Sequence, residues 1–440
     1  MPHPLAGLSL AAHATTALHA RAGPGAGAKA APGAHARAAP DAPATRTDPR
    51  TPSPVRSGRP PRYVNADVVV VGAGIVGASC AWHLIERGLD VIVLEREAAP
   101  AMGSTGRSAA GVRVQFTTGA NIALSMYSLP VYREFEARHG HSVGYRDIGY
   151  LLLVPHERWP AHLESVELQR SLGAPVDVLG PEEALRYVPF EPAGLAGATY
   201  GPWDGVIDPH MATHAWIAMG RARGVRYRLG HRVTSFQPTS TGWRVQAGAD
   251  TFECGHVVNA AGAWSAEVAA LAGLELPVGP KRIQIFLSAP VRDTRIYPLT
   301  IDLATGVYLR SEGDRVLFGL DNLTQPFGFT EGIEPEWLEH VLVTGVGRFP
   351  WWEEMGVDLK GSWWGYYAVS PDKSPIIGPN PGAERWTDAC GFSGHGIMHA
   401  PATGRAVSEM VADGRAHTVD VAAFAHDRFG RGAPVEANVF

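Results

Sequence analysis

Gly72-Ala73-Gly74-Ile75-Val76-Gly77 is a G-x-G-x-x-G run. Glycine suits its three places for three reasons. Gly72 permits a tight turn, Gly74 lets backbone approach a pyrophosphate, and Gly77 lets a helix pack closely on a strand. A helix opening at Ile75 and Val76 offers N–H groups and a positive end to phosphates. Glu95, followed by Arg96, stands about where an acid takes ribose hydroxyls. These residues read as a dinucleotide site, and the run alone does not choose between NAD and FAD. The stretch Gly103–Arg113 adds small residues, hydroxyls and two cations that must lie near the same phosphates. Ser104, Thr105, Arg107 and Ser108 are therefore expected at the cofactor.

A strand, a helix and a second strand must hold the run. Val68–Val71 is a continuous β-branched run suited to a strand buried on both faces. Ala78–Arg87 has helical spacing and stops at Gly88; Val91–Leu94 is a second buried strand. This β-α-β unit also accounts for the nearly apolar stretch Ala66–Ile85, so no membrane helix is expected there. The pattern predicts helices over about Asn121–His139, around Glu164–Arg170, and from Asp208-Pro209 to about Arg223. Strand-like alternation covers Arg226–Leu229, Trp243–Ala247 and Val257–Asn259. Strands and turns dominate from Ile283 to Phe318, and a strand-turn-helix unit covers Ala389–Val411.

At 440 residues, 45% hydrophobic and 18% charged, the chain can build two or three domains with a sizeable core. A net charge of -5 argues against a nucleic-acid partner. Lys29, Lys281, Lys360 and Lys373 are the only lysines, so few groups can serve a lysine-dependent step. Cys80, Cys254 and Cys390 are odd in number and far apart. That excludes a disulfide framework or zinc ribbon and fits a reducing compartment, the cytoplasm. Residues 1–62 are rich in Ala, Pro, Gly, His and Arg and carry +6, leaving -11 on the remainder. With little to bury they are expected to be a disordered tail. A plain tail or over-long start is favoured, and an Arg-rich organellar targeting peptide stays open.

Three parts of the chain resemble one known family. They are Gly103–Arg113, Val257–Ser265, and the pair Ser370–Pro379 with Gly391–Ile397. All are similar to the FAD-dependent amine and amino-acid oxidoreductases, which include D-amino-acid oxidase, glycine oxidase and sarcosine oxidase. The resemblance runs in order from about Ala66 to Asp413 and is strongest to the sarcosine oxidase and dehydrogenase branch. It implies an α/β fold: a Rossmann-like FAD-binding domain with a second, mostly antiparallel β-sheet substrate domain. The FAD domain is expected from 63–144, 201–275 and 362–425, and the substrate domain from 145–200 and 276–361, with a C-terminal tail at 426–440. On the cofactor side the resemblance adds Val233, Ala261, Gly262, Gly394, His395, Gly396 and Ile397. The helix after the Gly391–Gly396 loop would aim its positive end at the flavin. His395 is either a flavin contact or a satisfied loop histidine.

For substrate, Arg113 falls where sarcosine oxidase holds the substrate carboxylate, and an arginine fork matches a carboxylate bidentately. Tyr367 stands where glycine oxidase has a carboxylate-binding arginine, and Met398 where sarcosine oxidase has a lysine. A glycine-sized substrate is therefore not expected. Tyr366 and Tyr367 read equally as an aromatic wall for an amine and as plain packing; Tyr308 is a further pocket candidate. Leu317 takes the place of the lysine that serves oxygen in sarcosine oxidase, leaving Lys281 as the lysine expected to reach the flavin. Gly365 replaces the cysteine of covalent-flavin relatives. The histidine of the dimethylglycine dehydrogenase group is missing from Gly103–Gly111, so FAD is expected to be non-covalent. His210 with His214, and His395 with His399, have i, i+4 spacing but no third ligand, so no metal is expected.

The expected reaction is oxidation of the C–N bond of an amino acid or a secondary or N-methyl amine to an imine, by hydride transfer to flavin N5. An acceptor protein or partner subunit would take the electrons. Two alternatives stand at this level. One is a non-catalytic flavoprotein assembly factor, because Gly103–Phe116 also resembles a respiratory complex I assembly flavoprotein. The other is an NAD-dependent dehydrogenase, which would purify without yellow colour.

Overall fold

The computed structural model describes residues 63–430, 432 and 435–438; the expectations for residues 1–62 lie outside them. Strand β1 (Tyr63–Val71) leads into helix α1 (Ile75–Glu86) and strand β2 (Val91–Leu94). The β-branched run of β1 is buried, and its alternation feeds two layers. Val68 and Val70 pack with Cys80, Ala81 and Leu84 of α1 and with Ala402, Ala406 and Val407 of the helix Gly396–Asp413. Val69 and Val71 pack on the other face with Val245, Phe252 and Leu274. Each such side chain contributes roughly 1.5–3 kcal/mol of burial, which is why a strand covered on both faces needs no polar alternation.

The first sheet runs Ile376–Pro379, Trp386–Cys390, Asp250–Asn259, β1, β2, Arg226–Arg228. All but Ile376–Pro379 are mutually parallel. Trp243–Ala247 and Val233–Pro238 extend from Asp250–Asn259 as an antiparallel flap. Val71 pairs with both Leu94 and Asn259. The segments that follow β1, β2, Asp250–Asn259 and Trp386–Cys390 therefore emerge at one carboxyl edge, where open parallel sheets bind ligands.

The second sheet runs Trp363–Val369, Gly279–Leu287, Arg315–Gly319, Tyr308–Glu312, Leu299–Asp302, Tyr150–Pro155, Leu195–Gly201, Asp177–Leu179. It is antiparallel except where Leu299–Asp302 meets Tyr150–Pro155. Phe286, Leu309, Val316 and Phe318 face the helix Pro335–Arg348. Ile283, Ile285, Tyr308 and Leu317 face the other way, with Tyr150 and Tyr367.

The strand Trp363–Val369, assigned to the FAD-binding segment from sequence, hydrogen-bonds into this second sheet through Gly279–Leu287. The helix read over Asn121–His139 divides at Glu134 into Gly119–Arg133 and Phe135–His139. Asp208 caps the helix Pro209–Ala222 as its position suggested, accepting the His210 and Met211 N–H groups. The segment read as a C-terminal tail is anchored at three of its described positions: Arg428, Glu436 and Asn438 are buried, while residues such as Val435 and Ala437 are exposed.

Candidate functional site

A cavity of about 540 Å³ opens at the carboxyl edge of the first sheet. Every residue expected at the cofactor lines it except two. Gly77 instead packs against Gly72, where a Cβ would overlap the Gly72 carbonyl oxygen. His395 faces a smaller neighbouring cavity. Gly72 has φ +105°, and a Cβ there would lie 2.5 Å from the Ala260 carbonyl oxygen, so the turn admits glycine alone. At Gly74 a Cβ would meet only Thr105 Oγ1, at 3.1 Å. Gly74 is thus the glycine whose missing side chain leaves space toward the cavity.

The edge is furnished for a dinucleotide. Glu95 accepts the Ala73 N–H at 2.7 Å through one oxygen and the Glu97 N–H at 2.9 Å through the other, which pins its carboxylate beside the turn. Thr105 Oγ1 accepts the Ile75 N–H at 3.2 Å. The first turn of α1 carries no acidic residue, so its positive end is not neutralised locally. Ser104 Oγ is buried on the cavity wall with no hydrogen-bond partner among the described residues. A buried polar atom of that kind calls for a ligand or a water, and an FAD pyrophosphate or ribitol oxygen fits it. Arg107 lies over Trp364 at 4.5 Å and donates to its carbonyl, and Trp363 Nε1 donates to the Arg107 carbonyl. That exchange ties the Gly103–Gly111 loop to the second sheet.

The smaller cavity, about 60 Å³, shares Ser108, Ala109, Tyr367 and Gly394 with the large one. Arg113, Tyr150, Tyr308 and His395 supply the other polar side chains of its wall. The expected substrate residues Arg113, Tyr308 and Tyr367 therefore meet at one place. Arg113 is buried; its Nη1 donates to the Gln115 carbonyl at 2.5 Å and its Nη2 to the Asn438 carbonyl. Burial lowers its pKa, opposed by Tyr150, Glu436 and Asp204 nearby. Burial, then Arg113, holds His395 well below the usual imidazole range, so this ring is neutral and its Nε2 can accept from Arg113 at 3.5 Å. Burial likewise raises the Tyr367 and Tyr308 hydroxyls, which stay protonated. Asp204 sits behind Arg113, accepting from Val114 N and Gln115 Nε2, and burial pushes it up to about 7.

Lys281 does not join either wall. It opens the Gly279–Leu287 strand opposite Tyr367, and its ammonium pairs with Asp321 at 3.0 Å. Leu317 is an apolar core residue. Sequence reasoning missed Tyr150, Asp204 and the Ile283 and Ile285 side of the cavity. Tyr150 heads the apolar run Tyr150–Val154 and reads as plain core; a lone Asp204 among turn residues carries no spacing signal.

The comparisons with known proteins agree with this geometry. The family model described as DAO, FAD dependent oxidoreductase, matches residues 67–410. FAD-dependent oxidoreductase domain-containing protein 1 of Xenopus laevis is 32% identical over 85% of this chain and 85% of its own length. Mitochondrial dimethylglycine dehydrogenase of Mus musculus is 29% identical over 84% of this chain but only 46% of its own length. The crystal structure of L-proline dehydrogenase from P. horikoshii superposes with a TM-score of 0.79 at 29% identity, covering 85% of this chain and 100% of that one.

Proposed function

Because the chain belongs to the DAO family of FAD dependent oxidoreductases, we propose that it oxidises the C–N bond of an amino acid, or of a secondary or N-methyl amine bearing a carboxylate. The family match also selects FAD over NAD. The observation that carries the proposal is a buried arginine among two buried tyrosines, Tyr150 and Tyr308, and the half-buried Tyr367, in a cavity that shares Tyr367 and Gly394 with the cofactor cavity.

Glu95 would hold the ribose, Gly74 and the start of α1 the pyrophosphate, and the Gly394–Ile397 turn the far end of the FAD. The chemistry FAD supplies when bound is hydride acceptance at N5, which leaves the amine as an imine that water hydrolyses. The chain's own part is orientation. Arg113 would take the substrate carboxylate through a charge-assisted pair. Neutral His395 and the protonated tyrosines leave Arg113 as the cation facing that carboxylate in the smaller cavity. Tyr150, Tyr308 and Tyr367 wall the reacting carbon away from bulk water. An amine that arrives neutral needs no acid or base from the protein. Gly365 lines the cavity and no cysteine does among the described residues, which supports non-covalent FAD. Three buried, unpaired cysteines support a reducing compartment.

Arg113→Met is the test. A charge-assisted bond is worth roughly 1.5–3 kcal/mol, about ten- to a hundred-fold in binding. Carboxylate-bearing substrates should lose that factor in kcat/KM while uncharged amine analogues do not. Equal losses for both classes would make Arg113 a scaffold residue. A panel of amines that fails to bleach the bound flavin anaerobically would overturn the enzymatic reading.

A further inference from the structure

The described end of the chain returns to the substrate side and is clasped there. Glu436 is buried, and its carboxylate accepts from five donors of one short segment. These are Thr117 N and Oγ1 at 2.9 and 2.7 Å, Thr118 N and Oγ1 at 3.1 and 2.8 Å, and Asn121 Nδ2 at 3.2 Å. Thr118 caps the helix Gly119–Arg133, whose first turn has no acid of its own. The Glu436 carboxylate thus supplies the negative charge that this helix end favours. Two residues on, the buried Asn438 takes an Arg113 hydrogen through its backbone carbonyl. Its side-chain amide donates to the Gln115 carbonyl at 3.2 Å, the same oxygen that accepts Arg113 Nη1.

Nη1 and Nη2 are the nitrogens an end-on carboxylate uses in a fork–fork pair. Here each gives a hydrogen to a backbone carbonyl, one of them from residue 438. The adjoining cavity, about 60 Å³, is far below the roughly 300–1,000 Å³ of ligand pockets. We propose that residues 435–438 are a latch on the substrate site. The Asn438 carbonyl holds the Arg113 fork until a substrate carboxylate displaces it, and the Glu436 clasp sets how firmly the latch closes. The exchange is favourable because a carboxylate brings a full opposite charge and a bidentate geometry to the Arg113 fork, which a neutral carbonyl oxygen does not. An uncharged amine has nothing to displace the latch with, so the latch selects for carboxylate-bearing substrates. This deepens the proposed function and rests on Arg113 as its carboxylate anchor.

Ala437 is exposed while Cys80, Cys254 and Cys390 are buried. Ala437→Cys in the full-length holoenzyme therefore takes a thiol-reactive fluorophore selectively. Benzoate, a carboxylate without an amine, serves as the probe, and its binding is read separately from the flavin absorbance. Label anisotropy should fall as benzoate saturates. Glu436→Gln should lower KM about tenfold for carboxylate-bearing amines, the factor for one charge-assisted hydrogen bond, and leave KM for uncharged amines alone. Anisotropy that stays level or rises while benzoate binds overturns the latch. So does a Glu436→Gln enzyme whose KM is unchanged, or raised for both substrate classes; the latter would make the segment a support for Arg113. If Glu436→Gln does not fold, the label readout on the otherwise native chain decides alone. Benzoate binding that survives Arg113→Met overturns the carboxylate reading beneath the latch.

Discussion

A single methyl group separates two kinds of failure in the Gly72–Gly77 turn. At Gly77 a Cβ runs into the Gly72 carbonyl oxygen, so Gly77→Ala should lower Tm and leave little folded protein. At Gly74 the nearest obstacle is a movable Thr105 hydroxyl, so Gly74→Val should fold. Its side chain would occupy the pyrophosphate's approach, and the variant should purify without flavin at a Tm near that of the flavin-free wild-type protein; a full flavin complement would show that the cofactor does not pass Gly74. Asp204 gives a different test. The unfolded chain releases its proton near pH 4 and the fold only near 7, because burial disfavours the charge. Its contribution to stability is therefore present below about pH 4 and lost as pH rises through about 7. Asp204→Asn should shrink the Tm difference between pH 5 and pH 8; an unchanged difference would mean that Asp204 is ionised throughout. Residues with a steric or motif-borne reason, such as Gly72, Gly74 and Glu95, were legible in the sequence. Tyr150 and Asp204 were not, because their roles come from what the fold places beside them.

Elements announced themselves where one physical cue dominated. Val91–Leu94 and Trp243–Ala247 have the bounds their patterns suggested, and Asp208-Pro209 marks its helix start. The helix Pro335–Arg348 escaped notice although Pro335 occupies its first turn, since its apolar residues fall among glycines and β-branched positions that weaken the helical period. The helix Gly396–Asp413 matters most to the site, because its N-terminus lines the cavity while its body lies on α1. Gly404 is the contact: a Cβ there would overlap Ser79 Oγ and come within 2.8 Å of the Ser79 carbonyl carbon. Gly404→Val should destabilise by about 1–3 kcal/mol, as overpacking does, and weaken FAD retention as well, because the displaced helix carries Gly396 and Ile397 with it. Thermal unfolding and flavin content of the purified variant check both effects; normal values would show that the two helices part without cost.

The described residues belong to one compact unit, and no helix among them is long and apolar enough to cross a membrane. The two sheets could be anticipated from pattern and resemblance. Their division of the chain could not, because Trp363–Val369 takes its partner from Gly279–Leu287 more than seventy residues earlier. The joint between the sheets also bears on the electron acceptor. A positive charge beside the flavin would stabilise the anion formed when oxygen takes up an electron. Leu317 is apolar and Lys281 is paired with Asp321; of the arginines that line the cavities, Arg96 pairs with Glu97, Arg107 lies over Trp364, and Arg113 gives hydrogens to the Gln115 and Asn438 carbonyls. Stopped-flow mixing of reduced enzyme with air-saturated buffer should give slow reoxidation relative to a soluble dye; a fast reaction that survives Lys281→Met would sink that expectation. The cavity that joins Val71 to Ile397 has one more consequence, for the ribosome. At roughly 5–20 residues per second, some 20–60 s separate the emergence of the first glycine turn from that of the last. A nascent chain therefore has no finished berth for its flavin until the segment that carries Gly394 to Ile397 has emerged. Until then the apolar faces of the opening β-α-β unit lack the cover that later segments such as Phe252 and Ala406 give them, and transiently exposed apolar surface of this kind favours aggregation.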